Sequence, residues 1–297
     1  MNDESLQSLW DALCRSEMDI PWSAMEALAE ALAGDPELTE KLFRAYDESR
    51  QADLDAAGYV PLYVPAIFAL AASRLDGHRR REIGEFLIAR LVEAGEQDDH
   101  LMMEVLVAAS GAMGPAILPL VFGVVIDEPI SSGAWSQLWG LTKLAVGAEQ
   151  ALRAEVVAAC AGLLERVACD QVECELGVEA AWTLASLGEI EHVGLLRRLE
   201  LKSRWTLVYI DYSGARQALE ERRDSPRTQE LWELPVRDWF EPRWQRTRDW
   251  LVTCDSGTRS WEALQATYAG EPFSPHVPIV ERSPKTGHRE SCYVTIR

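Results

Sequence analysis

The stretch VEAAWTLASLGEIEHVGLLRRL, residues 178–199, gives the clearest indication of the fold. Its apolar side chains recur every three or four residues on both sides of Gly188, which is the spacing of a buried face on an α-helix. Glycine often ends a helix because it adopts a left-handed backbone without steric strain. The small side chains of Ala181 and Ala185 allow a neighbouring helix to approach closely. The stretch therefore predicts two short helices, joined by a turn at Gly188, that pack against each other and against further helices.

The same pattern of apolar residues at helical spacing continues on both sides of this stretch. Between residues 58 and 221, apolar helical segments alternate with short turns. The further predicted helices are 59–75, 79–94, 99–110, 115–126, 132–146, 150–167 and 205–220. One pair of helices takes about 35 to 45 residues, a period that favours a helical solenoid. We therefore predict an all-α fold in which helix pairs stack into an α-α superhelix.

The two ends of the chain have a different composition. Residues 1–57 are rich in carboxylates and are predicted to form three acidic N-terminal helices. Residues 222–270 are rich in tryptophan and arginine and contain Pro226, Pro235 and Pro242, so we predict short helices and loops rather than a long helix. This irregular segment is expected to cap the open end of the stack, which would otherwise expose apolar surface. Residues 271–297 begin with closely spaced prolines and are predicted to form an extended tail.

One segment has the length of a membrane span. Residues 105–126 contain no charged side chain, and this uncharged stretch is long enough to cross a bilayer. However, Gly114 and Pro115 interrupt the segment, and its flanks are Glu104 and Asp127 instead of cationic anchors. Two short buried helices explain it better, so no membrane partner is predicted.

The first residues, MNDE, lack the basic and apolar regions of a secretory signal, and we expect a cytoplasmic protein.

Residues 178–199 also closely resemble a HEAT repeat, and PAIFALA at residues 65–71 fits an earlier unit in the same order. This order resembles that of uncharacterised bacterial HEAT-like proteins, which often end in a SEC-C motif. Residues 284–292, PKTGHRESC, are similar to the start of that motif. The motif then continues into a cysteine-rich zinc knuckle, whereas this chain continues with YVTIR. Since one cysteine cannot form a tetrahedral zinc site, the resemblance implies a HEAT-like solenoid and no metal.

Charge restricts the class of partner. The 297-residue chain carries a net charge of -19. A field of this sign repels nucleic-acid phosphates and anionic lipids and attracts basic proteins. The sequence therefore predicts a protein or peptide partner, favours a basic one, and argues against nucleic acid.

Catalytic signatures for nucleotide, metal and hydrolase chemistry are missing from the sequence, so we expect neither catalysis nor a cofactor. His100 and Glu104 lie one helical turn apart, which permits a metal facet, although a helix start rich in acidic residues is the simpler interpretation. Cys169 and Cys174 are too far apart on a helix to share a metal, and the scattered cysteines are expected to be reduced. The run of arginines at 79–81 is interpreted as a phosphate contact or, more simply, a solvated turn.

The tryptophan and arginine segment supplies the candidate binding residues, because these residue types are enriched at interaction hot spots. The candidates are Trp232, Arg237, Trp239, Arg243, Trp244 and Trp250. The competing interpretation is that the large aromatic side chains pack as the terminal cap.

The predicted function is that of a scaffold or adaptor whose concave helical surface binds a protein or peptide. Two alternatives remain open from the sequence. One is an immunity-type inhibitor that neutralises a basic toxin. The other is a HEAT-like enzyme or chromophore lyase, which would require a cleft with paired titratable groups.

Overall fold

A computed structural model describes residues 3–15, 20–51, 60–125, 132–203, 211–221, 230–255, 277–282 and 289–294. The chain divides into two compact units, Met1–Gln245 and Arg246–Arg297. Throughout the described residues of the first unit, the regular structure is helical.

Thirteen α-helices lie within the described residues. They are α1 (Asp3–Arg15), α2 (Trp22–Gly34), α3 (Pro36–Gln51), α4 (Val60–Ala71), α5 (Gly77–Glu96), α6 (His100–Ala112), α7 (Leu118–Val125), α8 (Ser132–Gly140), α9 (Gln150–Ala168), α10 (Val178–Leu187), α11 (Val193–Ser203), α12 (Tyr212–Glu220) and α13 (Val236–Asp255). Short 3-10 turns lie between them at Ala72–Arg74, Gly114–Ile117, Leu141–Gly147, Cys174–Gly177, Ile190–His192 and Leu231–Glu233. The predicted helices between residues 58 and 221 are therefore confirmed where the structure describes them. The predicted helix 132–146 is α-helical only as far as Gly140 and continues as a 3-10 turn, and residues 205–210 of the last predicted helix lie outside the described residues.

Local sequence signals set several helix ends. The Asp76 carboxylate accepts a hydrogen bond of 2.9 Å from the backbone N–H of Arg79, which caps the start of α5. Gly188 follows α10 with a φ of +74°, the left-handed conformation that favours glycine. The turn predicted between the helices at 178–199 is therefore confirmed.

The even-numbered helices form one continuous row. Each of α2, α4, α6, α8 and α10 contacts the next even-numbered helix, and the row ends at α12. The odd-numbered helices α3, α5, α9 and α11 pack against this row. The apolar residues of α2 that recur at helical spacing are buried, namely Met25, Leu28, Ala29 and Leu32. The helices thus bury their apolar faces against neighbours in chain order, as the 3.6-residue period requires.

The uncharged segment at 105–126 is broken, as predicted. Helix α6 and the segment Gly114–Val125 meet at an angle of 115°. Among the described helices, none is both long and apolar enough to cross a membrane by itself.

The expectation of short helices and loops after residue 222 is wrong for α13, which runs over 20 residues with Pro242 inside it. A proline in a helix interior costs about 3 kcal/mol, because it removes a backbone hydrogen bond and crowds the preceding turn. Burial of Trp239, Phe240 and Trp244 on this helix offsets that cost, since each aromatic side chain contributes about 1.5–3 kcal/mol. From residue 246 onward, α13 belongs to the second unit.

The second unit contains two strands, β1 (Val277–Arg282) and β2 (Arg289–Val294). They pair antiparallel, with Val277 opposite Val294 and Arg282 opposite Arg289. The predicted extended tail therefore includes a paired ladder, which departs from an all-α description. Strand pairing joins residues that are not neighbours in sequence, so the proline-rich composition of the tail gave no sign of it.

Candidate functional site

A single C-terminal segment covers part of the even-numbered helix row. We name residues 230–245 the cover segment; it comprises the 3-10 turn Leu231–Glu233 and the part of α13 that belongs to the first unit. Pro235 precedes the helix, and its carbonyl accepts a hydrogen bond of 2.9 Å from the Asp238 backbone N–H. Proline is favoured at this helical entrance because its φ is already fixed near the helical value. All site geometry below lies within the first unit.

Three aromatic side chains of the cover segment lie in the core. Trp239 and Phe240 are each 1% exposed, and Trp244 is 3% exposed. The Phe240 ring lies edge-on to Trp22 of α2, with centroids 5.7 Å apart, and 6.1 Å from the ring of Tyr63 in α4. Trp244 donates a hydrogen bond of 3.2 Å from Nε1 to the Tyr63 hydroxyl. These contacts fix the segment on α2 and α4 through large apolar surfaces and one directional bond.

Charged groups surround the aromatic contacts. Arg237 lies 2.7 Å from the carboxylate of Glu26 and 5.0 Å from the ring centroid of Trp22. The indole Nε1 of Trp22 donates a hydrogen bond of 2.7 Å to Glu241. Trp22 therefore contacts the cover segment through a cation–π interaction and a hydrogen bond at the same time.

Helix α6 makes a second set of contacts with the segment. Arg243 lies 2.9 Å from Glu104. A Cβ atom added to Gly111 would lie 2.3 Å from Cγ of Trp232, so only glycine permits this close approach. Beside it, the buried Ser110 hydroxyl has no hydrogen-bond partner among the described residues.

The start of the cover segment is held by a partly buried lysine. Lys143 Nζ lies 2.8 Å from Glu179 and 2.9 Å from Glu230. Burial lowers the pKa of Lys143, but attraction to the two carboxylates outweighs burial and raises the pKa above its ordinary value. Lys143 therefore remains protonated at neutral pH and acts as a cationic clamp.

The structure brings five of the six predicted binding residues together but places them in different environments. Trp239 and Trp244 are buried in the core. Their segment packs on α2, α4 and α6, whereas the predicted cap would close the row at its open end. Trp232 is partly buried against α6, whereas Arg237 is exposed. Arg243 contacts Glu104. The side chain of Trp250 lies outside the described residues.

Sequence reasoning missed the residues that receive the cover segment. These are Trp22, Glu26, Tyr63, Glu104, Gly111, Lys143 and Glu179. Each lies more than one helix away from its partner in sequence, and no local pattern marks it. A faint sign was available at Gly111, because glycine inside an apolar helix often marks a close approach.

The other candidate chemistry has structural explanations. Arg79 is buried, and its guanidinium donates hydrogen bonds of 2.6 and 3.0 Å to the carbonyls of Leu32 and Ala33, which end α2. It is therefore neither a phosphate contact nor a solvated turn. Glu104 contacts Arg243, and His100 lies 3.3 Å from Asp98. Among the described residues, no three His, Cys, Asp or Glu side chains group as metal ligands.

The described cysteines do not share a site either. Burial raises the pKa of the Cys160 thiol to about 12, an effect that a hydrogen bond with Thr142 only partly opposes. Burial also raises the pKa of Cys174, while Cys169 is exposed. A thiol with a raised pKa is a poor nucleophile, so Cys160 and Cys174 have the properties of packed core side chains.

Searches against protein-family models, curated proteins and solved structures returned no match to this chain.

Proposed function

We propose that this chain is a protein-binding scaffold or adaptor that uses the surface of a HEAT-like helical stack and carries out no catalytic step. The solenoid arrangement is part of the proposal. It is supported by the unbroken contacts from α2 to α12 and by the left-handed turn at Gly188. A row of this kind offers an extended surface, which is how helical-repeat proteins bind their partners.

The main observation that supports this proposal is a set of carboxylates at the N-terminal end of the stack. Glu30 in α2 and Glu37 and Glu40 in α3 are exposed and form no ion pair with any described side chain. Together with the net charge of -19, they favour association with a basic protein, because complementary charge accelerates encounter and selects partners.

The pKa shifts of Lys143 and Cys160 argue against these two side chains as nucleophiles. A lysine acts as a nucleophile only when its pKa is lowered, and the pKa of Lys143 is raised. A cysteine acts as a nucleophile through its thiolate, and the raised pKa of Cys160 suppresses that form.

The exposed carboxylates of α2 and α3 also suit the alternative function, inhibition of a basic toxin. That function differs from the first only in the identity of the partner.

Charge reversal at the acidic helices tests the proposal. The full chain with Glu30→Lys, Glu37→Lys and Glu40→Lys is expected to lose the partners that the unchanged chain captures from a lysate of its source. A matched control carries Glu155→Lys, Glu175→Lys and Glu191→Lys, which are also exposed and produce the same change in net charge. The control is expected to keep those partners.

Binding of each captured protein is then measured by titration with purified components at low and high salt. A partner held by these carboxylates should bind more weakly as the salt concentration rises. Equal capture by the two triple variants would contradict the proposal. A basic toxin among the captured proteins, inactivated on binding, would select the inhibitor alternative.

A further inference from the structure

We infer that the face formed by α2, α4 and α6 is a docking groove for an amphipathic helix with aromatic and arginine side chains. In the free protein, the cover segment occupies this groove and competes with such a helix from a partner protein. The inference rests on the proposed function, which requires a protein partner, and it specifies the chemistry of that partner.

The geometry of the occupant supports helix-in-groove recognition. Arg237, Phe240, Glu241 and Trp244 all contact the groove, and they recur at the i, i+3, i+4 and i+7 positions of α13. Residues with this spacing lie on one face of a helix. Proteins that bind amphipathic helices in grooves recognise their ligands through this pattern of anchors.

The groove supplies a matching contact for each kind of side chain. Trp22 and Tyr63 receive the aromatic ring of Phe240, and the Tyr63 hydroxyl accepts the indole N–H of Trp244. Glu26 and Glu104 receive the two arginines. An incoming helix with the same order of aromatic and arginine residues would recover all of these interactions.

Several features make the cover segment the replaceable part of this arrangement. Helix α4 contacts both α2 and α6 directly, so the row has packing of its own. The side chains of Arg237 and Glu26 are 51% and 49% exposed, and exposed ion pairs contribute little stability. Pro242 weakens the helical hydrogen bonding of the occupant itself.

Tethering determines how strongly the segment competes. A segment joined to its binding site by the chain acts at an effective concentration on the order of millimolar. A free helix with micromolar intrinsic affinity would therefore bind the unchanged protein at least about tenfold more weakly than a protein whose own segment is released.

The experiment uses a fluorescently labelled synthetic peptide with the sequence of residues 230–245 and measures its anisotropy with full-length protein. In the released variant, Arg237→Glu and Arg243→Glu place two carboxylates against Glu26 and Glu104. We expect this variant to bind the peptide at least about tenfold more tightly than the unchanged chain. A matched control, Arg197→Glu with Arg198→Glu, reverses two exposed arginines of α11 and should bind as weakly as the unchanged chain.

Restoring both ion pairs with exchanged charges gives a second check. With Glu26→Arg and Glu104→Arg added to the released variant, the two introduced carboxylates of the segment face arginines, so the segment should occupy the groove again. This variant should therefore bind the peptide as weakly as the unchanged chain does. A released variant that keeps its helical circular dichroism and its cooperative unfolding yet fails to bind the peptide would overturn the inference.

A second design covers the case in which the charge reversals prevent folding. A site-specific protease sequence is inserted between Arg223 and Asp224, and the folded full chain is cut. Excess labelled peptide is expected to displace the C-terminal piece and leave a helical, soluble body. The inference is wrong if the piece resists displacement or if the body unfolds when the piece leaves. Binding of partners through Glu30, Glu37 and Glu40 does not depend on the groove. Either result would therefore overturn the groove inference and leave the proposed function intact.

Discussion

At the scale of single residues, Gly111 is the point of closest approach between the cover segment and α6. A methyl group there would overlap Trp232, and overpacking of this kind destabilises proteins by about 1–3 kcal/mol. Gly123 in α7 is an exposed helical glycine with no atom within 4 Å of its added Cβ. Replacement of glycine by alanine at such a site stabilises a helix by up to about 1 kcal/mol.

We therefore predict that Gly111→Ala is less stable than Gly123→Ala by about 2 kcal/mol in urea unfolding. Adding Trp232→Ala to Gly111→Ala should recover part of the loss specific to Gly111, because the overlapping ring is gone. Equal stability of the two glycine variants would show that Trp232 does not pack against Gly111 in solution.

Thiol reactivity provides a second test at this scale. Since burial raises the pKa of Cys160 to about 12, almost none of this thiol is ionised near neutral pH. We predict that iodoacetamide at about pH 8 modifies Cys169 first and leaves Cys160 and Cys174 protected, as measured by peptide mass spectrometry. In denaturant, all three should react at similar rates. Rapid modification of Cys160 in the folded protein would contradict its placement in the core.

At the scale of elements, the clamp at Lys143 joins the 3-10 turn that follows α8 to helix α10 and to the start of the cover segment. Replacement by methionine leaves Glu179 and Glu230 close together without a cation. We predict that Lys143→Met lowers the free energy of unfolding by about 1–3 kcal/mol, measured by chemical denaturation. Adding Glu179→Gln and Glu230→Gln should recover most of the loss, since no uncompensated charge then remains. No recovery would mean that Lys143 contributes by packing alone.

The same clamp has a defined pH dependence. Because the folded-state pKa of Lys143 lies above its ordinary value of 10.5, its stabilising contribution is complete below 10.5 and is lost as pH rises through the folded pKa. The stability difference between the unchanged chain and Lys143→Met should therefore be constant from about pH 7 to 9 and should narrow in stronger alkali. A difference that already narrows near neutral pH would contradict a raised pKa.

At the scale of the whole molecule, the net charge of -19 limits the choice of partners. Proteins that bind DNA without specificity do so with dissociation constants of about 10⁻⁴–10⁻⁶ M at physiological salt, mainly through contacts with phosphates. We predict no binding of labelled duplex DNA at about 0.15 M salt, with a basic DNA-binding protein as positive control. Binding that weakens steeply as salt is added would show a basic surface strong enough to overcome the acidic field.

Local sequence patterns were sufficient to locate the helices. Apolar residues at helical spacing identify the elements from α2 to α12, and Gly188 identifies a turn, because both signals act between residues a few positions apart. Composition likewise predicted the acidic character of the N-terminal helices.

The packing of the tryptophan and arginine segment, in contrast, follows from tertiary contacts. Trp239 and Trp244 are core residues because α2, α4 and α6 form a surface that accepts them, and Arg79 is buried because α5 begins beside the end of α2. Lys143 is a clamp because the fold brings two distant carboxylates to it. These contacts join residues far apart in the chain, and a contact of that kind depends on the placement of whole helices, which no local pattern encodes.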